Sequence, residues 1–236
     1  MAKRVGIIQS NYIPWKGYFD FIDSVDEFVV FDDVQYTRRD WRNRNRIKTA
    51  NGLQWLTIPV EAKGKYTQLV RETRVAGNDW SAEHLRALHH AYARAPHYQE
   101  HTAWLQALYE RAAEFEFLSD VNLLFMRALC ERFGIATPLR LSSEFEIVEG
   151  KNERLIAICR QAGATEYLSG PAAREYLEPA AWESAGIALR FKSYAGYRAY
   201  PQLHGPFEHA VTALDVLFNT GERARQYLKS EIDAEP

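Results

Sequence analysis

A strand that begins almost at the N-terminus and returns through one short helix to a second apolar strand leaves this chain few folds. Val5 to Ile8 is a short apolar run with the character of a buried strand, and a loop carrying Gln9, Asn11, Pro14, Trp15 and Gly17 follows it. An amphipathic segment starts near Tyr18, and a second apolar run, Phe28 to Phe31, ends on two adjacent carboxylates, Asp32 and Asp33. Strand, loop, helix, strand is a crossover unit, and such a crossover makes the two strands parallel. Open parallel sheets bind ligands beyond the C-terminal ends of their strands. The segments Gln9 to Gly17 and Asp32 to Tyr36 are therefore predicted to border the binding site.

At 236 residues the chain suits one α/β domain, or one with a helical insertion. Apolar residues make up 47% and charged residues 25%, near globular averages, which excludes wholesale disorder. The net charge of -2 conceals a dense basic run from Arg38 to Lys48. Cys130 and Cys159 lie in helical patterns and belong to no CxxC pair, so reduced core thiols are expected. The N-terminus enters a strand without a signal-type region, and no apolar run approaches the ~20 residues that span a bilayer. The expectation is a soluble, cytoplasmic protein without membrane insertion, compatible with a homo-oligomer.

Downstream, Arg42, Arg44 and Arg46 alternate, so an extended backbone would point all three to one face. Gln54 to Val60 reads as a buried strand and Leu69 to Val75 as a half-exposed one. Three helices follow, Asp79 to Ala93, His101 to Phe117 and Val121 to Phe133, the last capped by Ser119 or Asp120 and ended by Gly134. They suggest a division into an N-terminal part of the α/β domain (1–78), a helical insertion (79–134) and a C-terminal part (135–236) whose tail after Gly221 is peripheral. The α/β rhythm returns with strands at Leu139 to Leu141, Glu166 to Leu168 and Ile187 to Tyr194. Helices are expected over Lys151 to Gln161, from Ser169 through Arg174, and over Ala210 to Phe218.

Several constellations could carry chemistry. Gly17 opens a helix whose N-terminus can attract an anion, the alternative being a structural loop in which Pro14 and Trp15 merely pack. One of Asp32 and Asp33 should face the cleft, able to hold Mg²⁺, a ribose hydroxyl or an ammonium group, unless both are solvated turn carboxylates. Arg42, Arg44, Asn45, Arg46 and Lys48, with Tyr36 and Trp41 interleaved, suit an anionic small ligand, nucleic acid, or a solvated loop. Ser169, Gly170 and Arg174 form a second anion-type helix start, or an ordinary cap. His97 to His101 matches the zinc-protease pattern HxxEH without a clear third ligand, so no metal site is assigned. His204, in a loop flanked by proline and glycine, is the candidate for proton transfer because its ordinary pKa of ~6.5 lies near neutrality.

The segments GIIQSNYIPWKGYF, FDDVQYTRRDWRNRNRIK, QWLTIPV, GATEYLSGPAAREYL, YPQLHGPF and LDVLFNTG together resemble the WbqC-like family of bacteria, from the N-terminus to about Gly221. That resemblance implies a role in O-antigen or lipopolysaccharide synthesis, with glycine or another aminoacyl group added to an amino sugar. The opening is also remotely similar to nucleotidylyltransferases and pantothenate synthetases. Trp15-Lys16-Gly17-Tyr18 falls where those proteins carry His-x-Gly-His, so imidazole catalysis does not transfer, and Lys16 with the arginines would substitute electrostatically.

The resulting expectation is a three-layer α/β fold with a mainly parallel, Rossmann-like sheet. It would serve a transferase or ATP-dependent ligase for a nucleotide sugar. Catalytic roles fall to His204, Asp33 and Lys16. Substrate binding falls to Gln9, Asn11, Tyr12, Trp15, Gly17, Arg42, Arg44, Asn45, Arg46, Lys48, Ser169, Gly170, Arg174, Tyr200 and Gln202. ATP with Mg²⁺ is a candidate cofactor and aminoacyl-tRNA a candidate donor. The alternative is a nucleic-acid- or partner-binding protein that uses residues 38–48.

Overall fold

The computed structural model describes residues 2–146 and 148–229. The elements run β1 Arg4–Ile8, α1 Lys16–Asp23, β2 Glu27–Val30, β3 Arg44–Thr49, β4 Gly52–Thr57, α2 Asp79–Tyr92, α3 Tyr98–Ala112 and α4 Leu118–Arg132. Then come β5 Leu139–Leu141, α5 Lys151–Gln161, β6 Glu166–Ser169, α6 Pro179–Ser184, β7 Ala188–Phe191 and α7 Ala213–Thr220. Five strands form one parallel sheet in the order β5-β2-β1-β6-β7, with Ile8 beside Val30 and Gly6 beside Leu168. Helices cover both faces, giving the three-layer α/β fold.

Period-two alternation sorts the central strands between two cores. Val5, Ile7, Val29 and Phe31 point to the side of α5 and α6, where Trp182 stacks on Tyr167 with ring centres 4.5 Å apart. Phe28 and Val30 point to the other side, among Phe21 and Ile22 of α1 and Leu214 and Phe218 of α7. Gly6 also faces that side, and a Cβ there would lie 2.4 Å from the Phe21 ring, so the residue lets α1 close on the sheet. The same core continues through Tyr12 into Leu88, Leu105, Tyr109 and Phe125 of α2, α3 and α4.

The middle of the chain departs from the sequence pattern. Gln54 to Val60 is not a buried strand of the main sheet. β4 pairs antiparallel with β3 in a separate hairpin and exposes most of its residues, Trp55 at 41% among them. The hairpin's inner face carries Ile47 and Leu56, while arginine stacking takes the place of a covering layer on the outside. Leu69 to Val75 contains a 3₁₀ turn, Val70–Glu72, in place of a strand, because the Glu72 carboxylate accepts the Leu69 amide and favours the local turn. Ser119 caps nothing: the N-cap of α4 is Phe117, and the Ser119 hydroxyl donates to the Asp32 carboxylate. Pro171–Glu175 is a short 3₁₀ turn without a side-chain cap, so Ser169 is the last residue of β6 and not a helix cap. The segment after Gly221 is not wholly peripheral, since Ala224 and Leu228 are buried, and residues 230–236 lie outside the described residues. Both cysteines are free and buried, and burial pushes the Cys130 thiol up to about 12.

Candidate functional site

The chain leaves β1 through residues 9–15, and the basic segment that follows β2 holds this loop in place. Arg42 donates from Nη1 to the carbonyls of Ser10 (3.0 Å) and Gln9 (3.3 Å) and to the Asn11 side-chain oxygen. Asn45 Nδ2 donates to the carbonyls of Tyr12 (3.1 Å) and Ile13 (2.9 Å). Asp32 accepts the Ser10 amide at 2.8 Å, and burial raises its pKa against the pull of its hydrogen bonds. Ile13, fully buried and β-branched, sits at φ +35°, a conformation such residues reach only under constraint. Arg42 and Asn45 thus build the loop. Arg42 does not share a face with Arg44 and Arg46, because it precedes β3 and turns back onto β1.

Connections from β1 lead to β2 and β5 on one side, and the chain then returns past β1 to β6 and β7. The switch point lies between β1 and β6, the position where doubly wound sheets open a crevice. A crevice of about 470 Å³ is found there. Gln9, Ser169 and Gly170 line it from the strand ends, with Phe31, Tyr167 and Tyr176 as aromatic walls. The N-terminus of α5 also opens into it, with Gly150 at φ +98° as N-cap and Lys151 and Arg154 on the first turn. Arg154 is steered by donating from Nη1 to the Asp33 carbonyl and from Nε to the Val148 carbonyl, both at 3.3 Å. Two cations at a helix N-terminus suit an anion, and the aromatic walls suit a ring. The Asp33 carboxylate is taken by Arg71 and the Ser142 hydroxyl, so it is not free to hold Mg²⁺ as expected.

A second cavity, about 220 Å³, lies on the other side of the loop. Asn11, Pro14, Trp15, Trp41 and Asn45 form its walls, together with His209 and Ala210. Gly17 makes the Trp15 position possible, since a Cβ there would lie 2.3 Å from the indole. A larger concavity of about 660 Å³ is walled by α3, α4 and the turn between them, with charges of both signs.

The other expected residues lie elsewhere. Tyr12 is a core residue, its hydroxyl 2.8 Å from His84 Nδ1 and 2.6 Å from the Tyr109 hydroxyl, and it lines neither the crevice nor the second cavity. His204 Nε2 donates to the Ala91 carbonyl at 2.8 Å and is a structural tie apart from both cavities. Arg174 stacks on Phe191 at 4.2 Å. Lys48 donates to Gln202 Oε1, and Gln202 and Tyr200 donate in turn to Asp215, so these three belong to a buried network. His97 pairs with Glu100, and the described residues contain no group of three or more His, Cys, Asp or Glu able to hold a metal ion. No helix among the described residues is long and apolar enough to cross a membrane.

Lys16 adjoins that network. Its ammonium donates to the Arg198 carbonyl at 2.7 Å and lies over the rings of Tyr197, Tyr200 and Phe207. Burial lowers its pKa to about 8, with the Asp215 charge opposing. The unfolded lysine keeps its proton up to its ordinary value of 10.5, whereas the folded one releases it near 8. The unfolded state therefore binds more protons between these values, and stability rises with pH across that window. Urea midpoints measured from pH 8 to 10 should rise for the wild type and stay flatter for Lys16→Met; identical slopes would refute the shift.

Lys151, Arg154, Tyr176, Tyr194 and His209 are the residues that sequence reasoning passed over. For Lys151 and Arg154 the signal was present: a glycine before a helix, then two cations three apart, after a strand. Tyr194, whose ring packs on Trp15 5.3 Å away and whose hydroxyl approaches Gly170, joins the two cavities only through the fold.

Fold and crevice define a doubly wound α/β protein with an open pocket at its switch point. The chain belongs to the WbqC-like protein family, whose model matches residues 9–227. It is similar to the uncharacterized protein Rv1507c of Mycobacterium tuberculosis (strain ATCC 25618 / H37Rv), at 50% identity over 227 residues, 96% of this chain and 98% of that one. No solved structure matches the chain significantly.

Proposed function

We propose that this WbqC-like protein is a transferase or ligase that adds glycine or another aminoacyl group to a nucleotide-activated amino sugar in O-antigen or other surface-glycan synthesis. The observation that carries this reading is the switch-point crevice, where Lys151 and Arg154 meet the N-terminus of α5 beside aromatic walls. The two cations and the helix amides take the diphosphate, Tyr176 and Phe31 flank the base, and Gln9 faces the sugar. A Cβ at Gly170 would meet only the Tyr194 hydroxyl, at 4.0 Å, so a ligand can approach the backbone there. In the reaction the sugar amine attacks the acyl carbonyl, the new C–N bond forms, and the bond to the activating group breaks as the amine loses a proton. Aminoacyl-tRNA, a thioester, or an amino acid activated by ATP with Mg²⁺ would each supply that acyl group.

Isothermal titration with nucleotide amino sugars and with ATP tests this reading. Binding is expected for a nucleotide sugar, and Lys151→Ala and Arg154→Ala should each weaken it by about tenfold or more, as loss of a charge-assisted hydrogen bond does. Absence of binding to every nucleotide tried, or wild-type affinity in both variants, would remove its basis.

A further inference from the structure

The crevice leaves unexplained the outer face of the β3–β4 hairpin. Trp41 and Trp55 stand there 38% and 41% exposed, with ring centres 5.4 Å apart. Arg44 lies 4.1 Å over Trp55, and Arg46 lies 5.5 Å from both indoles. Neither arginine has a carboxylate within ion-pair distance among the described residues. The Arg46 side chain makes no hydrogen bond there, Arg44 donates only to the Arg39 carbonyl, and the Nε of each is buried without an acceptor. Asp40 feels the Arg44 charge without pairing with it, so both stacked guanidinium groups keep donors free for an anion, and their planar fork matches a phosphate.

The same ladder leads inward. Trp41 is a wall of the 220 Å³ cavity, where Trp15 adds a second indole and Asn11 and His209 add polar edges. The Asn11 side-chain oxygen is engaged by Arg42, and its amide nitrogen has no partner among the described residues, so it can donate to a ligand. Burial and the neighbouring Lys16 charge lower the His209 pKa from its ordinary value. A volume below that of drug-sized pockets suits a single ring system.

We propose that this cavity and the arginine ladder form a second site that takes a nucleotide, its base between Trp15 and Trp41 and its phosphate on Arg46 and Arg44. The ladder continues outward to Trp55, which offers a stacking platform for a neighbouring base, as in proteins that hold single strands. The nucleotide can thus be a free mononucleotide or the end of an RNA strand. The site stands on residues distinct from those of the switch-point crevice, and the two are separated by the loop of residues 9–15.

Tryptophan fluorescence quenching with AMP and with a short single-stranded RNA, over a salt series, tests the proposal. Binding that falls with salt is expected, with Arg46→Ala and Trp41→Ala each weakening it by roughly tenfold. Arg46→Lys, which keeps the charge and loses the fork, should fall between Arg46→Ala and wild type. Comparable affinity for the two probes identifies a mononucleotide site, and much tighter binding of the RNA identifies a strand end. Lys151→Ala should leave both probes bound as in wild type while it weakens nucleotide-sugar binding, and a wild-type protein that binds AMP but no nucleotide sugar would count against the crevice reading and not against this one. The proposal fails if neither probe binds, if Arg46→Ala binds as wild type does, or if Lys151→Ala abolishes the binding.

Discussion

Asp215→Ala should lower the stability of this protein by about 4 kcal/mol, the loss that follows when one partner of a buried, charged network is removed. The Asp215 carboxylate is fully buried and accepts from the Tyr200 hydroxyl at 2.6 Å, Gln202 Nε2 at 2.7 Å and the Tyr92 hydroxyl at 2.8 Å. Alanine would leave these donors in the core without an acceptor, each costing about 1–3 kcal/mol before relaxation. It would also remove the negative charge beside Lys16 and Lys48. For a chain of this size the melting temperature should fall by about 8–16 °C. Asp215→Asn keeps one acceptor oxygen and should lose less. An Asp215→Ala protein that melts with the wild type would show that the network contributes nothing net.

The second large effect is expected at Asn45. Its amide ties down two successive carbonyls, those of Tyr12 and Ile13, and its oxygen accepts the Arg46 amide at 2.8 Å. Asn45→Ala would leave these groups unpaired and release the positive φ at Ile13, whose strain is of order 1–3 kcal/mol. Strain relief offsets part of the loss, so the net destabilisation should be about 2–3 kcal/mol. Loop 9–15 borders both cavities, so the variant should also weaken binding at each. Urea denaturation and the two binding assays, run on one preparation, check this. Unaltered binding in a destabilised variant would show that the loop matters to the fold alone.

Much of the architecture was legible because it is written in local pattern. The runs Val5 to Ile8 and Phe28 to Phe31, joined by one short amphipathic segment, dictated parallel strands. The helices of 79–132 followed from apolar residues at spacings of three and four. The turn at 70–72 departs from the pattern because the Glu72 side chain closes it locally, and the hairpin because an apolar run such as QWLTIPV records β-propensity but not what covers it. Arg44 and Arg46, on the paired strand β3, supply that cover by stacking on Trp55.

For the site, the chain order predicted that Gln9 to Gly17 and Asp32 to Tyr36 would border the binding site, and the junction at Ser169 and Gly170 stood as a separate anion-site candidate. Gln9, Ser169 and Gly170 meet in the crevice. Only the tertiary structure decided where the basic segment and its neighbours went. Arg42 and Asn45 are spent on backbone carbonyls, Lys16, Lys48, Tyr200 and Gln202 on the buried Asp215 network, and Arg44 and Arg46 on an exposed indole ladder. Sequence spacing names which donors are available, but a donor's partner is decided by which acceptor the fold brings within about 3 Å of it.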